Sequence, residues 1–311
     1  MARLIHTAQA LVDLVCDVPG LPPRGGNVMA AGVTRQPGGA AIILIAAARS
    51  GATAVHAGSV GSGINADLIR HALHSEGVEV TSPPVEQLDT GVCVVLLEPT
   101  AERTFVTTWG AERQVSVGSF DTSAPQPGDL VCVSGYSLVE PTLTPLLAWL
   151  EGLPIGDGGQ RVDVVLDPGA IFAELPPEVV SRVLAVTTVW TSNMDEAAAL
   201  VGTDEMDRAA GLVAGRLSRP RAVVVRDGDQ GCAVWHGSRT EVIPGFPQRA
   251  VDTNGAGDTH TGAMVAAVTR GLSWADAARY ANAAAGLKVT GKGLGSIPHR
   301  EAVEEFLRLA D

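Results

Sequence analysis

The stretch DTNGAGDTHTG, residues 252–262, decides how the rest of the chain is read. Two carboxylates, Asp252 and Asp258, bracket a Gly-Ala-Gly turn, and an alanine-rich helical pattern follows without a break. A glycine turn that opens a helix aims several backbone N–H groups at one point. The helix dipole adds partial positive charge there, so the turn can hold an anion without any Lys or Arg. Small residues at Gly255, Ala256 and Gly257 let a phosphoryl group approach the backbone. A carboxylate at Asp258 would repel that group unless it accepts a proton from an attacking hydroxyl. Asp252, on the far side of the turn, is placed to hold the turn or a cation. The residues alone leave a second reading open, in which Asp258 caps the helix and the glycines form a tight turn. A Walker P-loop is excluded, because Gly291-Lys292 is followed by Gly293. The glycines of GSVGSG (58–63) are wrongly spaced for a dinucleotide fingerprint, which disfavours a nicotinamide dehydrogenase.

Working outward, short Val/Ile/Leu runs alternate with helical patterns. Strand-like stretches lie at 53–59, 129–135, 162–168, 186–192 and 221–228. Helical ones lie at 40–51, 65–77, 141–152, 194–202 and 207–218, and the last third is mostly helix. This alternation predicts an α/β fold: a Rossmann-like, doubly wound parallel sheet covered by helices on both faces. Residues 14–36 and 90–115 break the pattern with prolines, glycines and extended runs, and are expected to form a discontinuous small β-layer. The main domain is then 1–13, 37–89 and 116–311. GDGGQ (156–160) is expected to be a surface turn and not a domain linker.

Composition narrows the function. The chain has 311 residues, 46% of them apolar, and a net charge of −12 without a basic run. That disfavours nucleic acid and anionic membranes as partners, while leaving small phosphorylated ligands open. Cys16, Cys93, Cys132 and Cys232 are scattered through apolar runs and read as buried free thiols of a reducing cytosol. His6, Gln9 and Asp13 interrupt the apolar run that a signal peptide needs, and AAIILIAAA (40–48) is too short to span a bilayer. A cytoplasmic location is expected.

DTNGAGDTHTGA (252–263) resembles the C-terminal D-T-x-G-A-G-D motif of the ribokinase-like (PfkB) carbohydrate kinases. The resemblance extends along nearly the whole chain, through VDLVCDVPGLPPRGGNVMA (12–30), PGGAAIILIAAARSGA (37–52), TSNMDEAAAL (191–200) and VVVRDGDQGC (223–232). It implies a Rossmann-like domain with a small β-sheet lid and an ATP-dependent phosphotransferase acting on an alcohol group, with Mg²⁺ as cofactor. Asp258 would be the catalytic base and Gly255, Ala256 and Gly257 the anion hole. Asp13, Gly38 and Gly39 would bind the substrate. Asn193 and Glu196 would position Mg²⁺ and phosphate through water, although Asn-x-x-Glu opening a helix is also a capping box. Gly228 and Gly231 would contact the nucleotide, with Asn282 near the adenine. Asp252, Asn254, Lys288, Gly291, Gly293 and Ser296 resemble a monovalent-cation site suited to K⁺. Lid strands could pair between two subunits into a homodimer.

The chain departs from the family pattern at three places. The Gly-Gly motif usually continues to an Asn that binds the sugar, but Ile42-Ile43 stand in that region, which favours an apolar substrate surface. SGINAD (62–67) lacks the usual acidic pair, and His260 replaces a Phe just after Asp258. Two residues from a carboxylate on a helix, His260 faces another side and is expected to be a spacer rather than a relay. The reading is a sugar or sugar-like alcohol kinase; a nucleoside kinase and a non-catalytic sugar or nucleotide sensor are the alternatives.

Overall fold

The computed structural model describes residues 2–100, 102–156 and 159–310; Ala101, and Asp157 and Gly158 on which part of the expected GDGGQ surface turn falls, lie outside them. Thirteen strands are described: β1 (Arg3–His6), β2 (Ala10–Asp17), β3 (Gly32–Gly39), β4 (Thr53–His56), β5 (Glu79–Val80), β6 (Val92–Leu97), β7 (Arg103–Thr107), β8 (Leu130–Ser134), β9 (Asp163–Asp167), β10 (Val189–Asn193), β11 (Ala222–Arg226), β12 (Gly231–His236) and β13 (Arg239–Pro244). The helices are α1 (Ala40–Arg49), α2 (Ile64–Ser75), α3 (Val117–Asp121), α4 (Leu143–Glu151), α5 (Pro177–Val186), α6 (Met194–Val201), α7 (Met206–Ala214), α8 (Ala256–Thr269), α9 (Trp274–Lys288) and α10 (Arg300–Ala310).

The large sheet runs β13-β12-β11-β10-β9-β8-β1-β4-β5. From β11 to β5 every pairing is parallel, and β12 and β13 extend one edge antiparallel. Alternation along each strand divides the core in two. Leu4, Leu130 and Cys132 face the layer that holds α1, α8 and α9, whereas Ile5, Val131 and Val133 face the layer that holds α4 and α7. A parallel sheet buried on both faces explains why its strands read as nearly continuous apolar runs.

The second sheet has the order β3-β2-β6-β7, with β2 and β6 parallel and the outer pairs antiparallel. Its register puts Asp13, Val15 and Asp17 of β2 on one face with Gln36 and Thr34 of β3 and Cys93, Val95 and Leu97 of β6. Cys93, Cys132 and Cys232 are buried, but Cys16 is only half-buried. It belongs to the opposite face of the small sheet, which solvent reaches at that end.

Four strands went unread in the sequence. β1 and β5, of four and two residues, are too short to show a period, and β12 and β13 follow directly on a strand already assigned. Gly237 and Ser238 both have positive φ, 56° and 73°, which is the geometry of a two-residue hairpin. The Gly-Ser pair between two alternating runs was the available signal.

Candidate active site

Asp258 lies in the first turn of α8. The cap residue of that helix, Gly255, is left-handed at φ 73° and ψ 10°, and no side chain caps the helix. First-turn N–H groups have no acceptor inside their own helix; here that of Ala256 turns back to Thr253 O at 3.2 Å, and no side chain takes the place of a cap. Only glycine suits residue 255: a Cβ there would adopt a strained backbone and meet Ile42 Cδ1 and Cγ2 at 3.2 Å, with Asp258 Oδ2 at 3.9 Å. The Asp258 carboxyl is half-buried, and its pKa is pushed up to about 7. Burial is the main cause and the charge of Asp167 the next; Arg226 opposes, while Asp13 and Glu196 add to the rise. A carboxyl poised near neutrality is suited to general-base work.

Arg226 and Asp167 were not picked out from the sequence, yet they sit at the centre of the cluster. Arg226 Nη1 donates to Gly257 O at 2.6 Å and to Thr261 Oγ1 at 3.1 Å, Nε donates to Ser192 O at 3.2 Å, and Nη2 lies 3.4 Å from Asp167 Oδ2. Both residues end buried strands, β11 and β9, at the carboxyl edge of the sheet where ligands of such folds bind. A charged residue closing an apolar strand was the missed signal. Asn193 and Glu196 form a reciprocal capping box on α6: Glu196 N–H donates to Asn193 Oδ1 at 2.8 Å and Asn193 N–H to Glu196 Oε2 at 3.0 Å. Burial, and next the Asp167 charge, raise the pKa of Glu196. Among the described residues no group of three or more His, Cys, Asp or Glu side chains could hold a metal.

Asp13 is buried, in mid-strand, and burial raises its pKa to about 6. Its carboxyl lies flat against β3, since a Cβ on Gly38 would fall 2.3 Å from Asp13 Oδ1. Gly39 is the cap residue of α1, so the Gly-Gly pair both receives the carboxylate and starts the helix that carries Ile42. A cavity of ≈ 600 Å³ opens between the inner face of the small sheet and residues 251–254 and 292–293. Asp13 and Asp258 do not line it; Gln36 and Asn254, beside them in the sheet and the turn, do. Arg103 reaches across and donates to Asn254 Oδ1 at 3.1 Å, tying the small sheet to the turn.

Gly228 is exposed with open space around it, whereas Gly231 is packed where β12 meets residues 243–245. The side chain of Asn282, expected near the adenine, is engaged within the protein. Its Nδ2 donates to Ile243 O and Pro244 O at 3.1 and 3.0 Å, and Oδ1 pairs with His260 Nε2 at 3.1 Å. An amide with these three bonds is a bracket between α8, α9 and the end of β13. His260 is buried, and burial, then the Arg226 charge, lower its pKa to about 3; it is a neutral spacer.

The residues assigned to a monovalent cation do come together. Asn254 N–H donates to Asp252 Oδ1 at 2.9 Å, Gly293 N–H lies 3.5 Å from Asp252 Oδ2, and Ser296 Oγ donates to Gly293 O at 2.7 Å. Gly291 packs against Ser296. The position beside Asp252 is taken by the side chain of Lys288, whose Nζ donates to Asp252 O at 3.0 Å.

The profile of the pfkB family of carbohydrate kinases matches residues 1–300. The chain belongs to that family. It is 31% identical over 295 residues to the uncharacterized sugar kinase YegV of Escherichia coli K12, covering 94% of this chain and 90% of that one. By fold it is similar to Arabidopsis thaliana ribokinase complexed with ribose and ATP (TM-score 0.78, 24% identity, 99% of each chain). It is also similar to a candidate ribokinase II of E. coli in complex with ATP and Mg²⁺ (TM-score 0.81, 21% identity, 99% and 100% coverage). As a pfkB carbohydrate kinase the chain is an ATP-dependent phosphotransferase with an alcohol group as acceptor. The expected α/β architecture, a large sheet flanked by helices and a smaller sheet, is the one these neighbours share.

Proposed function

We propose that Asp258 is the general base of this kinase and that the Gly255-Ala256-Gly257 turn holds the phosphoryl group in transfer. The acceptor hydroxyl attacks the γ-phosphorus of ATP, its proton passes to Asp258, the bond to the β-phosphate oxygen breaks, and ADP leaves. The observation that carries this reading is a carboxyl with a pKa of about 7 beside an uncapped helix mouth. Asp258 needs no strong intrinsic basicity, because the N–H donors and Arg226 supply positive potential where charge develops. Mg²⁺, when bound, neutralises charge on the nucleotide phosphates. The residues fit an ion carried in by the nucleotide: Asn193 and Glu196 bind each other directly and can reach such an ion through water, as Mg²⁺ commonly allows. Gly228, exposed at φ 54°, offers backbone to the nucleotide.

Asp13 accepts hydrogen bonds from substrate hydroxyls, with Gly38 and Gly39 leaving room beside it. Residues 14–36 and 90–115 act as a lid that excludes water, with Arg103 as its contact to the turn. Ile42 against Gly255 and the Val15, Val95 and Leu97 wall favour an acceptor with an apolar surface, which keeps a nucleoside beside a sugar as substrate. A sensor without activity has no use for a carboxylate held at so unfavourable a place. Val33 and Val106, 60% and 59% exposed on the edge strands β3 and β7, support pairing of two lids in a homodimer.

The test is substrate-induced ADP release with Mg·ATP across pentoses, hexoses, sugar acids, sugar phosphates and nucleosides, with Asp258→Asn as control. A hit lost in the variant supports the assignment. A hit that survives removes Asp258 from the chemistry.

A further inference from the structure

The kinase reading leaves one buried cation without a role. Lys288 closes α9 and is 2% exposed, an unusual place for a lysine without a partner. Its Nζ donates to Asp252 O at 3.0 Å and lies 3.5 Å from Asp252 Oδ2. The loop around Asp252 is fastened further, because the N–H groups of Val251 and Asp252 lie 2.7 and 3.2 Å from Val289 O. Oδ1 of Asp252 then sets the turn through Asn254 N–H. A carbonyl and a carboxylate therefore converge on one ammonium at the loop that leads into the Gly255–Gly257 turn.

The family resemblance assigns a free monovalent cation to this place, and the residues present do not fit one. The oxygens of Asp252 that would ligate it already hold the ammonium. The Asn254 carboxamide oxygen is taken by Arg103. A dissolved cation at this place would also be repelled by the Lys288 charge. An ammonium group is close in size and equal in charge to K⁺, and it is attached to the chain. We propose that Lys288 is a tethered replacement for the monovalent cation, keeping the 252–254 loop and hence the Gly255–Gly257 turn in shape at any salt composition. Lys288 is a positioning residue: it touches neither acceptor nor phosphate and acts through Asp252.

The test compares the full-length wild type and Lys288→Met in K⁺, ammonium and tetramethylammonium buffers of equal ionic strength. Melting temperature is the primary readout, and ADP release is the second. The rate arm rests on the kinase reading, whereas the melting arm does not, so failure of one is distinguishable from failure of the other. Expected is a wild type indifferent to the choice of cation. Lys288→Met, with the ammonium removed and the oxygens left, melts higher as K⁺ or ammonium is added, in a saturable way, by about 5 °C at a hundredfold excess over its Kd. Its turnover returns over the same concentrations. A wild type stabilised or activated by K⁺ overturns the proposal, as does a folded Lys288→Met that no cation rescues. If Lys288→Met is unfolded in tetramethylammonium, recovery of the fold in K⁺ supports the proposal, and no recovery in either Lys288→Met or Lys288→Ala overturns it.

Discussion

Asp258→Asn keeps the shape of the side chain and removes its charge, so it separates what the carboxylate does for turnover from what it does to the fold. The pKa rises from an ordinary 3.8 to about 7 on folding. Between those values the folded chain holds a proton that the unfolded chain has released, so stability falls as pH rises from 3.8 to about 7 and stays low above it. A rise of about three units is worth about 4 kcal/mol. The dipole of α8 favours a carboxylate in its first turn by about 1 kcal/mol, and partial exposure trims the figure further, leaving about 2–3 kcal/mol. The Asn variant is therefore expected to melt about 4–6 °C above wild type near pH 8, at about 2 °C per kcal/mol for a chain of this size. The gain should vanish near pH 4, where the wild-type carboxyl is itself neutral. The same variant should lose about 10²–10⁴ in kcat. Calorimetric melts at several pH values, paired with ADP release, make the measurement. An Asn variant less stable than wild type near pH 8, or a gain that ignores pH, would refute the claim that this carboxylate is held against its electrostatic preference.

Arg226 is the positive charge that restrains the rise at Asp258. In wild type kcat/KM should climb with pH through about 7, and Arg226→Met should move that midpoint upward by about 1–3 units; an unchanged midpoint would show that the guanidinium charge does not reach the base. Gly255→Ala forces a side chain into left-handed backbone at about 1–2 kcal/mol and presses on Ile42, so its melting temperature and kcat should both drop. Adding Ile42→Val should recover only the contact part, and full recovery would remove the backbone argument. Asn282→Ala removes the amide that joins Ile243 O, Pro244 O and His260 and should cost about 1–3 kcal/mol in a urea titration. The ATP KM of that variant should stay unchanged; a raised KM would return the side chain to the nucleotide site.

The parts of the site that were legible in the sequence are those enclosed in a few consecutive residues. DTNGAGD contains its own turn, its helix start and the carboxylate proposed as base, so spacing alone gave a chemical reading. Asn193 and Glu196 are four residues end to end, and the capping geometry there is a local property. Asp167 and Arg226 were illegible for the opposite reason. They lie 59 residues apart in sequence and come within 3.4 Å only because β9, β10 and β11 are neighbours in the sheet. Arg103 joins Asn254 from a different sheet altogether. Lys288 was read for its backbone carbonyl, because nothing in GLKVTG tells whether a lysine at a helix end turns outward to water or back onto Asp252. The hydrogen bonds of Asn282 were illegible for the same reason, since nothing in the sequence tells which way a helix face looks.

The charges around the turn are distributed unevenly, and that distribution links the base to the tethered lysine. Asp167 and Glu196 stand around Arg226, Asp13 adds its charge at Asp258, and burial raises the pKa values of Asp13, Glu196 and Asp258. Lys288 and Arg103 are held by Asp252 and Asn254, in the residues just before the turn. On the roles proposed above, a phosphoryl group at the mouth of α8 would meet the Arg226 guanidinium and the Asp258 carboxyl together, while the Lys288 ammonium would keep the 252–254 loop, and with it the turn, in shape. A turn that lost its shape would no longer present N–H donors beside Asp258, so the raised pKa at Asp258 and the buried ammonium of Lys288 would be parts of one arrangement.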